Sequence, residues 1–145
     1  MKSSYVKAFV IFAALVLLSL ASISTAFASS ATASQNPDLT VSVSATSTNA
    51  NPDLVAVGDQ ETIIRAVKNN TTHKLTVQLV TRLTAPNGFT ATIAVQQVTL
   101  VPGQTLSSSF TYTDESSFPT GVYSAKFSAT DSKGTSSATT STTLI

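Results

Sequence analysis

The feature that most constrains this chain is an alternation of apolar and polar residues, which recurs in short segments from residue 37 onward. Successive side chains of a β-strand point to opposite faces, so a period of two predicts strands with one buried face. Seven segments follow this pattern with differing strength: 39–44, 61–68, 75–83, 89–101, 106–112, 123–129 and 138–144. Because no segment after residue 28 has the apolar spacing of an amphipathic helix, the pattern predicts an all-β fold.

Turn-forming residues separate these segments. Residues 85–88 place a proline at the second position of a turn, where its fixed φ is already suitable. Pro102 and Gly103 suit a type II turn, and Gly134 suits the left-handed position of a tight hairpin. Seven short strands joined by such turns predict a seven-stranded antiparallel β-sandwich over residues 37–145.

Finer predictions concern the stretches with weaker patterns. Residues 29–36 are small and polar without periodicity, which indicates a flexible leader. Residues 54–57 are a candidate for a short edge strand, and Gln96-Gln97 is a candidate for a β-bulge. The chain has 22 serines and 24 threonines, and we expect them on outward strand positions, where hydroxyl groups replace charge as the solvated face.

The first 28 residues have the three-part layout of a secretory signal peptide. Two lysines precede an unbroken apolar run at 8–18, and Ala26 and Ala28 form an A-x-A cleavage pattern. An uncleaved anchor is the alternative, because 8–28 is uncharged and close to the ~20 residues that cross a bilayer. We favour cleavage, since serine and threonine dilute the segment after the apolar run, and therefore expect a secreted or cell-envelope protein.

The composition excludes several kinds of site. The chain has no cysteine, which rules out disulfides, thiolate metal sites and a cysteine nucleophile, and its single histidine rules out a multi-histidine centre. Without residues 1–28, six basic residues remain against seven acidic ones, and a net charge of −1 does not attract nucleic acid. Neither nucleic acid nor, after signal removal, a membrane is an expected partner.

The residues that carry chemistry are scattered along the chain. His73 follows a polar stretch and is interpreted as a solvated loop residue, because no Gly-x-Ser-x-Gly nucleophile motif accompanies it. Calcium coordination by the acids at 114–115 with Asp131, or by Asp59 with Glu61, lacks the spacing of a calcium loop. We expect no catalytic residue, no metal and no cofactor.

The start of the sixth segment resembles the corner between strands E and F of immunoglobulin-like sandwiches. Gly121 and Tyr123 match the Asp-x-Gly/Ala-x-Tyr-x-Cys motif of that corner. Pro119 replaces the aspartate, Ala125 stands at the cysteine position, and the chain has no tryptophan. The antibody type of domain therefore does not fit.

The order of the motifs resembles bacterial extracellular immunoglobulin-like modules, including the CARDB (cell-adhesion-related) type. The shared features are a Pro-Asp-Leu strand at 37–39, paired asparagines ending 67–70, a Pro-Gly-Gln turn at 102–104, and a Gly-x-Tyr strand with an Asp-Ser-x-Gly hairpin at 121–134. The resemblance covers residues 37–145. It implies an extracellular structural or binding module, although function does not follow from fold alone.

We therefore expect a secreted, non-enzymatic module for surface architecture, adhesion or binding of an extracellular or envelope protein or glycan. Strand addition is one route, and the weakly apolar first and last strands are candidate edges. The alternative is an exported small-ligand carrier or inhibitor on the same scaffold, with loops around 86–89 and 118–119. The sequence singles out no binding residues, only structural ones.

Cleavage after Ala28 is directly testable. We expect the exported protein to begin at Ser29, and Ala28→Arg to block processing because a bulky charged residue does not fit the small-residue site of the signal peptidase. Intact mass of the exported protein measures the outcome, with Ala31→Arg as the control that leaves processing unchanged. An exported wild-type protein that still carries residues 1–28 would favour the anchor.

Overall fold

The computed structural model describes residues 29–51 and 53–145, so the predicted signal peptide at 1–28, with Ala26 and Ala28, lies outside the described residues. The described part is all-β. Its strands are β1 (Ser29–Ala33), β2 (Leu39–Ser47), β3 (Leu54–Val55), β4 (Gln60–Asn69), β5 (Leu75–Thr84), β6 (Thr90–Leu100), β7 (Thr105–Thr113), β8 (Gly121–Thr130) and β9 (Thr135–Leu144). No helix able to cross a membrane occurs among these residues.

The strands form two packed sheets. The first sheet has the order β1-β2-β4-β7 and the second has the order β3-β9-β8-β5-β6. Strands β2, β4 and β7 take the immunoglobulin positions A, B and E, while β9, β8, β5 and β6 take G, F, C and C′. All neighbours are antiparallel except β3 and β9, which are parallel. The β-sandwich is thus confirmed. The prediction of seven strands, all antiparallel, is wrong: the described residues form nine strands, and one pair of them is parallel.

The first added strand replaces the flexible leader predicted at 29–36. Strand β1 pairs with β2 along its whole length, and Ala31 and Ala33 pack against the core. Ser34 continues the attachment by donating from Oγ to the Leu39 carbonyl (3.1 Å). The side chains of β1 are too small to show a hydrophobic pattern in the sequence. The strand forms because the edge of β2 offers free amides and carbonyls, and these exist only once the sheet has folded.

The β-bulge lies elsewhere than predicted. Gln96 and Gln97 pair regularly with β5, whereas the register shifts between Thr81 and Arg82. Thr81 pairs with Ala94 and Arg82 pairs with Thr92, which leaves Ile93 as the additional residue of β6. The short edge strand predicted at 54–57 is confirmed in part as β3.

The core fills the space between the sheets with the inward members of each alternation. Its fully or nearly buried apolar side chains are Leu39, Val41, Val43, Ala45, Ile63, Val67, Leu75, Val77, Leu79, Leu83, Leu100, Phe110, Ala125, Phe127, Ala129 and Ala138. Burial of this apolar surface is the main favourable contribution to folding.

Strand β9 departs from the expectation that serine and threonine face outward. Ser136, Thr140 and Thr142 are buried on its inward face. The Ser136 hydroxyl donates to the Leu39 carbonyl (2.9 Å), and the Thr142 hydroxyl donates to Glu61 (2.8 Å). Hydrogen bonding removes the penalty of burying a hydroxyl, so the inward face of this strand tolerates polar residues.

The hairpin of β5 and β6 provides a matched test of the core. Val77 is fully buried on β5, whereas Val95 on β6 is 62% exposed. We expect Val77→Ala to lower the free energy of unfolding by about 2–3 kcal/mol, because buried methyl groups and their packing are lost. Val95→Ala should cost less than about 1 kcal/mol. Urea denaturation measures both, and equal losses would contradict the inward alternation of β5.

Candidate functional site

The immunoglobulin-like corner joins two turns. Tyr123 donates from Oη to the Pro119 carbonyl (2.8 Å), which is the geometry of a tyrosine corner. Gly121 has φ +131°, and a Cβ at this position would lie 2.8 Å from Cβ of Pro86. The glycine thus provides both the backbone conformation and the close approach between the turn at 85–88 and the start of β8.

The other structural positions also lie in turns. Gly103 has φ +71° after Pro102, and its amide donates to the Asn69 carbonyl (3.0 Å). Asn69 is fully buried and donates from Nδ2 to the carbonyls of Leu100 and Val101 (both 3.2 Å). Sequence reasoning identified this asparagine only as a strand end. Because Asn69 and the Pro102-Gly103 turn are far apart in the sequence and meet only in the fold, no local sequence signal indicated this anchor.

Asp114 and Asp131, which were considered together for calcium, lie at opposite ends of the sandwich, whereas Asp59 and Glu61 lie at the same end as Asp114. Asp131 follows β8, where its Oδ1 accepts hydrogen bonds from the amides of Lys133 (2.7 Å) and Gly134 (3.1 Å). Asp114 instead lies near Tyr123, at the start of β8, where burial and, to a lesser extent, the charge of Asp114 raise the pKa of the tyrosine. Within 29–51 and 53–145 no cluster of three or more metal-binding side chains is formed. His73 is exposed in the loop before β5.

A buried carboxyl pair occupies the end of the sandwich where β4 begins. Glu61 accepts hydrogen bonds from the Tyr112 hydroxyl and from Thr142 (2.8 Å). Asp114 is 5% exposed, and its Oδ2 has no hydrogen-bond partner in the described chain. Burial raises the pKa of Asp114 to about 7, with further contributions from the charges of Glu61 and Asp59. Burial also raises the pKa of Glu61, against the effect of its two hydrogen bonds.

The space beside this pair is small. A cavity of about 10 Å³ is lined by Glu61, Tyr112 and Tyr123 together with residues of β5 and β9. That volume has room for roughly one water molecule. The inward position of Glu61 could have been found from the sequence, because it shares the parity of Ile63 and Val67 on the same strand.

On one side of the sandwich the border of β9 is covered, and we call it the closed side; the border strand of the first sheet on this side is β1, which pairs with β2. The Gln35 amide donates from Nε2 to the Ser137 carbonyl (3.0 Å) and accepts from the Ser137 amide (2.8 Å), as a paired strand residue would. Strand β3 pairs with Thr143 and Leu144 further along β9. Neither candidate edge predicted from the sequence is therefore a free border: β9 is covered here, and β2 lies between β1 and β4.

The opposite side, which we call the open side, carries two strands that each pair with one neighbour. Strands β6 and β7 border the second and the first sheet. Neither contains a charged residue or a proline. Strand β6 is interrupted by the bulge at Ile93, whereas β7 keeps continuous register with β4 over nine residues, from Thr105 to Thr113.

Hydrogen bonds at both ends of β7 identify its outward backbone groups. The Asp114 amide donates to the Asp59 carbonyl (3.0 Å), and the Gln104 carbonyl accepts from the Asn69 amide (2.9 Å). The backbone amides and carbonyls of the even-numbered β7 residues therefore point toward β4. Alternation directs the other backbone groups outward. We call this outward row the β7 edge, and it consists of the amides and carbonyls of Thr105, Ser107, Ser109, Thr111 and Thr113.

An arginine lies between the sheets on the open side. Arg65 points inward from β4 and donates from Nε to Ser108 Oγ (2.8 Å) and from Nη1 to Thr81 Oγ1. Its Cζ lies 5.6 Å from the centre of the Phe127 ring, within the range of a cation–π contact. Sequence reasoning counted Arg65 only among the six basic residues that follow residue 28 and missed its inward position.

Comparisons with known proteins place the fold but not an activity. No protein-family model and no curated protein matches the chain. A CARDB domain from Pyrococcus furiosus, solved in complex with di-metal ions, is similar at 16% identity, covering 71% of this chain and 87% of that one, with a TM-score of 0.48. A β-D-glucoside glucohydrolase from Trichoderma reesei is similar at 15% identity over 74% of this chain, with a TM-score of 0.51.

A third similar structure is a DNA-bound alkylpurine DNA glycosylase from Pseudomonas fluorescens, with 10% identity over 70% of this chain and a TM-score of 0.48. The chain spans 30% of the glycosylase and 19% of the glucohydrolase. At these identities the likeness concerns the fold alone, and no activity carries over to this chain.

The buried carboxyl pair predicts an unusual pH dependence. The Asp114 carboxyl titrates near 3.8 when unfolded and near 7 when folded, so the folded state binds more protons between these values. We therefore expect the free energy of unfolding to fall by on the order of 2–4 kcal/mol as pH rises from about 4 to about 7. Asp114→Asn should flatten this slope in urea denaturation, and exposed Asp53→Asn should retain it. A stability that rises over this range would contradict the burial of Asp114.

Proposed function

We propose that the chain is a secreted, non-enzymatic immunoglobulin-like module that binds an extracellular or envelope protein by adding a strand of that partner to the β7 edge. The observation that carries the proposal is the difference between the two sides of the sandwich. The border of β9 is covered by a side-chain amide and an additional strand, while β7 leaves the outward amides and carbonyls of five residues without a strand partner among the described residues.

Soluble proteins usually block such borders. Charged residues, prolines, bulges and covering loops all prevent another strand from pairing. Strand β6 has one of these devices, the bulge at Ile93, and β7 has none of them. A regular, uncharged edge is the surface to which an extended segment of a partner pairs through main-chain hydrogen bonds.

The outward face of β7 supports recognition of a strand. Its exposed and half-exposed side chains are Thr105, Ser107, Ser109, Thr111 and Thr113, and all of them are hydroxyl residues. Cross-strand hydroxyl pairs already occur in this fold, as between Thr62 and Thr111 (2.7 Å). A partner strand rich in serine or threonine would extend this ladder.

The buried carboxyls do not favour an enzyme or a carrier. Glu61 and Asp114 are enclosed at the end of the sandwich, and the neighbouring cavity of about 10 Å³ is far smaller than the ~300 Å³ of a typical ligand pocket. We therefore assign these groups to the structure rather than to chemistry. Export is inferred from the pattern of residues 1–28.

The β7 edge can be tested by removing one outward amide. Ser109→Pro deletes an outward donor without removing a hydrogen bond to β4, whereas Ser109→Ala keeps the amide and is the matched control. We expect chemical cross-linking in the host envelope, quantified by mass spectrometry, to give a partner with the wild type and Ser109→Ala. Ser109→Pro should lose it by at least about tenfold.

Two results would contradict strand addition. Cross-linking of the same partner at the same yield by all three proteins would place the contact away from β7. A partner lost equally with Ser109→Ala would assign the contact to the hydroxyl group instead of the backbone. Circular dichroism and thermal denaturation of Ser109→Pro verify that the variant remains folded.

A further inference from the structure

Arg65 is a cation in an apolar setting without an opposite charge. Its inward neighbours on β4 are Ile63 and Val67, both buried, and Arg65 itself is half-buried. Within residues 29–51 and 53–145 the ion pair formed is that of Lys133 with Asp38 (2.7 Å), and no carboxylate reaches Arg65. Burial lowers the pKa of the guanidinium, so partial removal of water disfavours its charge.

The contacts of Arg65 hold the guanidinium without neutralising it. Ser108 and Thr81 are neutral acceptors, and the Phe127 ring contributes only its quadrupole. A guanidinium has five N–H donors in a fixed fork, and two of them are used here. The second terminal nitrogen, Nη2, makes no hydrogen bond within the described chain, so one arm of the fork remains available.

The guanidinium lies toward the open side. Ser108, which binds its Nε, points into the sandwich and is nevertheless exposed, because β7 has no neighbour beyond it. Thr81, which binds Nη1, lies at the register shift opposite the bulge residue Ile93. Bulges occur frequently beside functional sites, where they redirect a strand. Here the bulge and the free border of β7 flank the same arginine.

Strand addition would place a new side chain within reach of Arg65. A strand paired to β7 lies two strand spacings from β4, or about 9.5 Å. Its residue opposite Ser108 would point to the same face as Ser108 and therefore into the sandwich. The combined length of an arginine and a glutamate side chain spans this distance. The added strand would also exclude water from the pair and strengthen the interaction.

We propose that Arg65 binds a carboxylate and that it selects partner strands with an acidic side chain opposite Ser108. The proposal rests on the strand addition described above and specifies its partner: a hydroxyl-rich extended segment with one glutamate or aspartate facing inward. The acidic residue sets both the register and the identity of the strand, because a misplaced or missing carboxylate leaves the guanidinium unpaired.

Two peptides test the selection. The probes are the capped peptide Lys-Thr-Val-Ser-Glu-Ser-Val-Thr-Lys and the same peptide with glutamine in place of glutamate. Titration of the ¹⁵N-labelled protein measures affinity in every variant through the backbone amide shifts of β7, and in the wild type the Arg65 Nε–Hε signal also reports the contact. We expect the glutamate peptide to bind the wild type about tenfold more tightly, the factor expected for a partly desolvated charged hydrogen bond.

Variants of two cations on the same strand provide the comparison. Arg65→Gln can still donate to Ser108, and it should bind both peptides equally. Lys68→Gln removes an exposed charge from the same strand and should retain the preference. If Arg65→Gln does not fold, Arg65→Lys keeps the charge but loses the fork, and the preference should fall.

The outcomes separate this inference from the proposed function. Equal binding of both peptides by the wild type would overturn the role of Arg65 and leave strand addition standing. Binding of neither peptide at millimolar concentration would overturn both. A titration with sodium acetate, compared with sodium chloride, tests binding of a free carboxylate. If acetate shifts the Arg65 signal as much as the peptide does, the site binds small anions, and the proposal that the carboxylate belongs to a partner strand is overturned.

Discussion

The whole architecture depends on how unpaired backbone groups at the borders of its sheets are satisfied. A sandwich of two open sheets has four borders, and each presents amides and carbonyls that need partners. Here Gln35 provides an amide that pairs with Ser137, and β3 covers the end of β9. Among the described residues, no strand covers the β7 edge. The two sides of the sandwich therefore differ in how many of their border amides and carbonyls have strand partners within the described residues.

Polar groups between the sheets follow the same reasoning. Glu61 and Arg65 share the inward face of β4. Glu61 accepts hydrogen bonds from two hydroxyl groups, whereas Arg65 keeps one terminal nitrogen without a hydrogen bond in the described chain. Carboxyl burial at one end costs stability at neutral pH, which a folded domain tolerates only if the remaining core compensates. The guanidinium lies beside an open border, where a partner can change its surroundings.

Much of the sandwich could be predicted from the period of two, because burial of one face imposes that pattern directly. The position of Tyr123 at a corner also follows from a local motif. Strand β1 could not be predicted in this way, since alanine and serine alternate without hydrophobic contrast and the pairing exists only after β2 has formed. The bulge was misplaced because paired glutamines look irregular in sequence, whereas the additional Ile93 is as apolar as its neighbours. Parity alone would have placed Glu61 and Arg65 inside.

The amide of Gln35 also bears on the number of pairing edges that the sandwich offers. A chain that began at residue 37, the boundary suggested by the alternation, would lack β1 and the group that covers Ser137. Both sides of the sandwich would then offer pairing edges. Units with one adhesive side form finite complexes, whereas units with two different adhesive sides join head to tail into growing filaments. If a partner strand adds to the β7 edge as proposed, residues 29–36 would therefore separate a module with one adhesive side from a module with two.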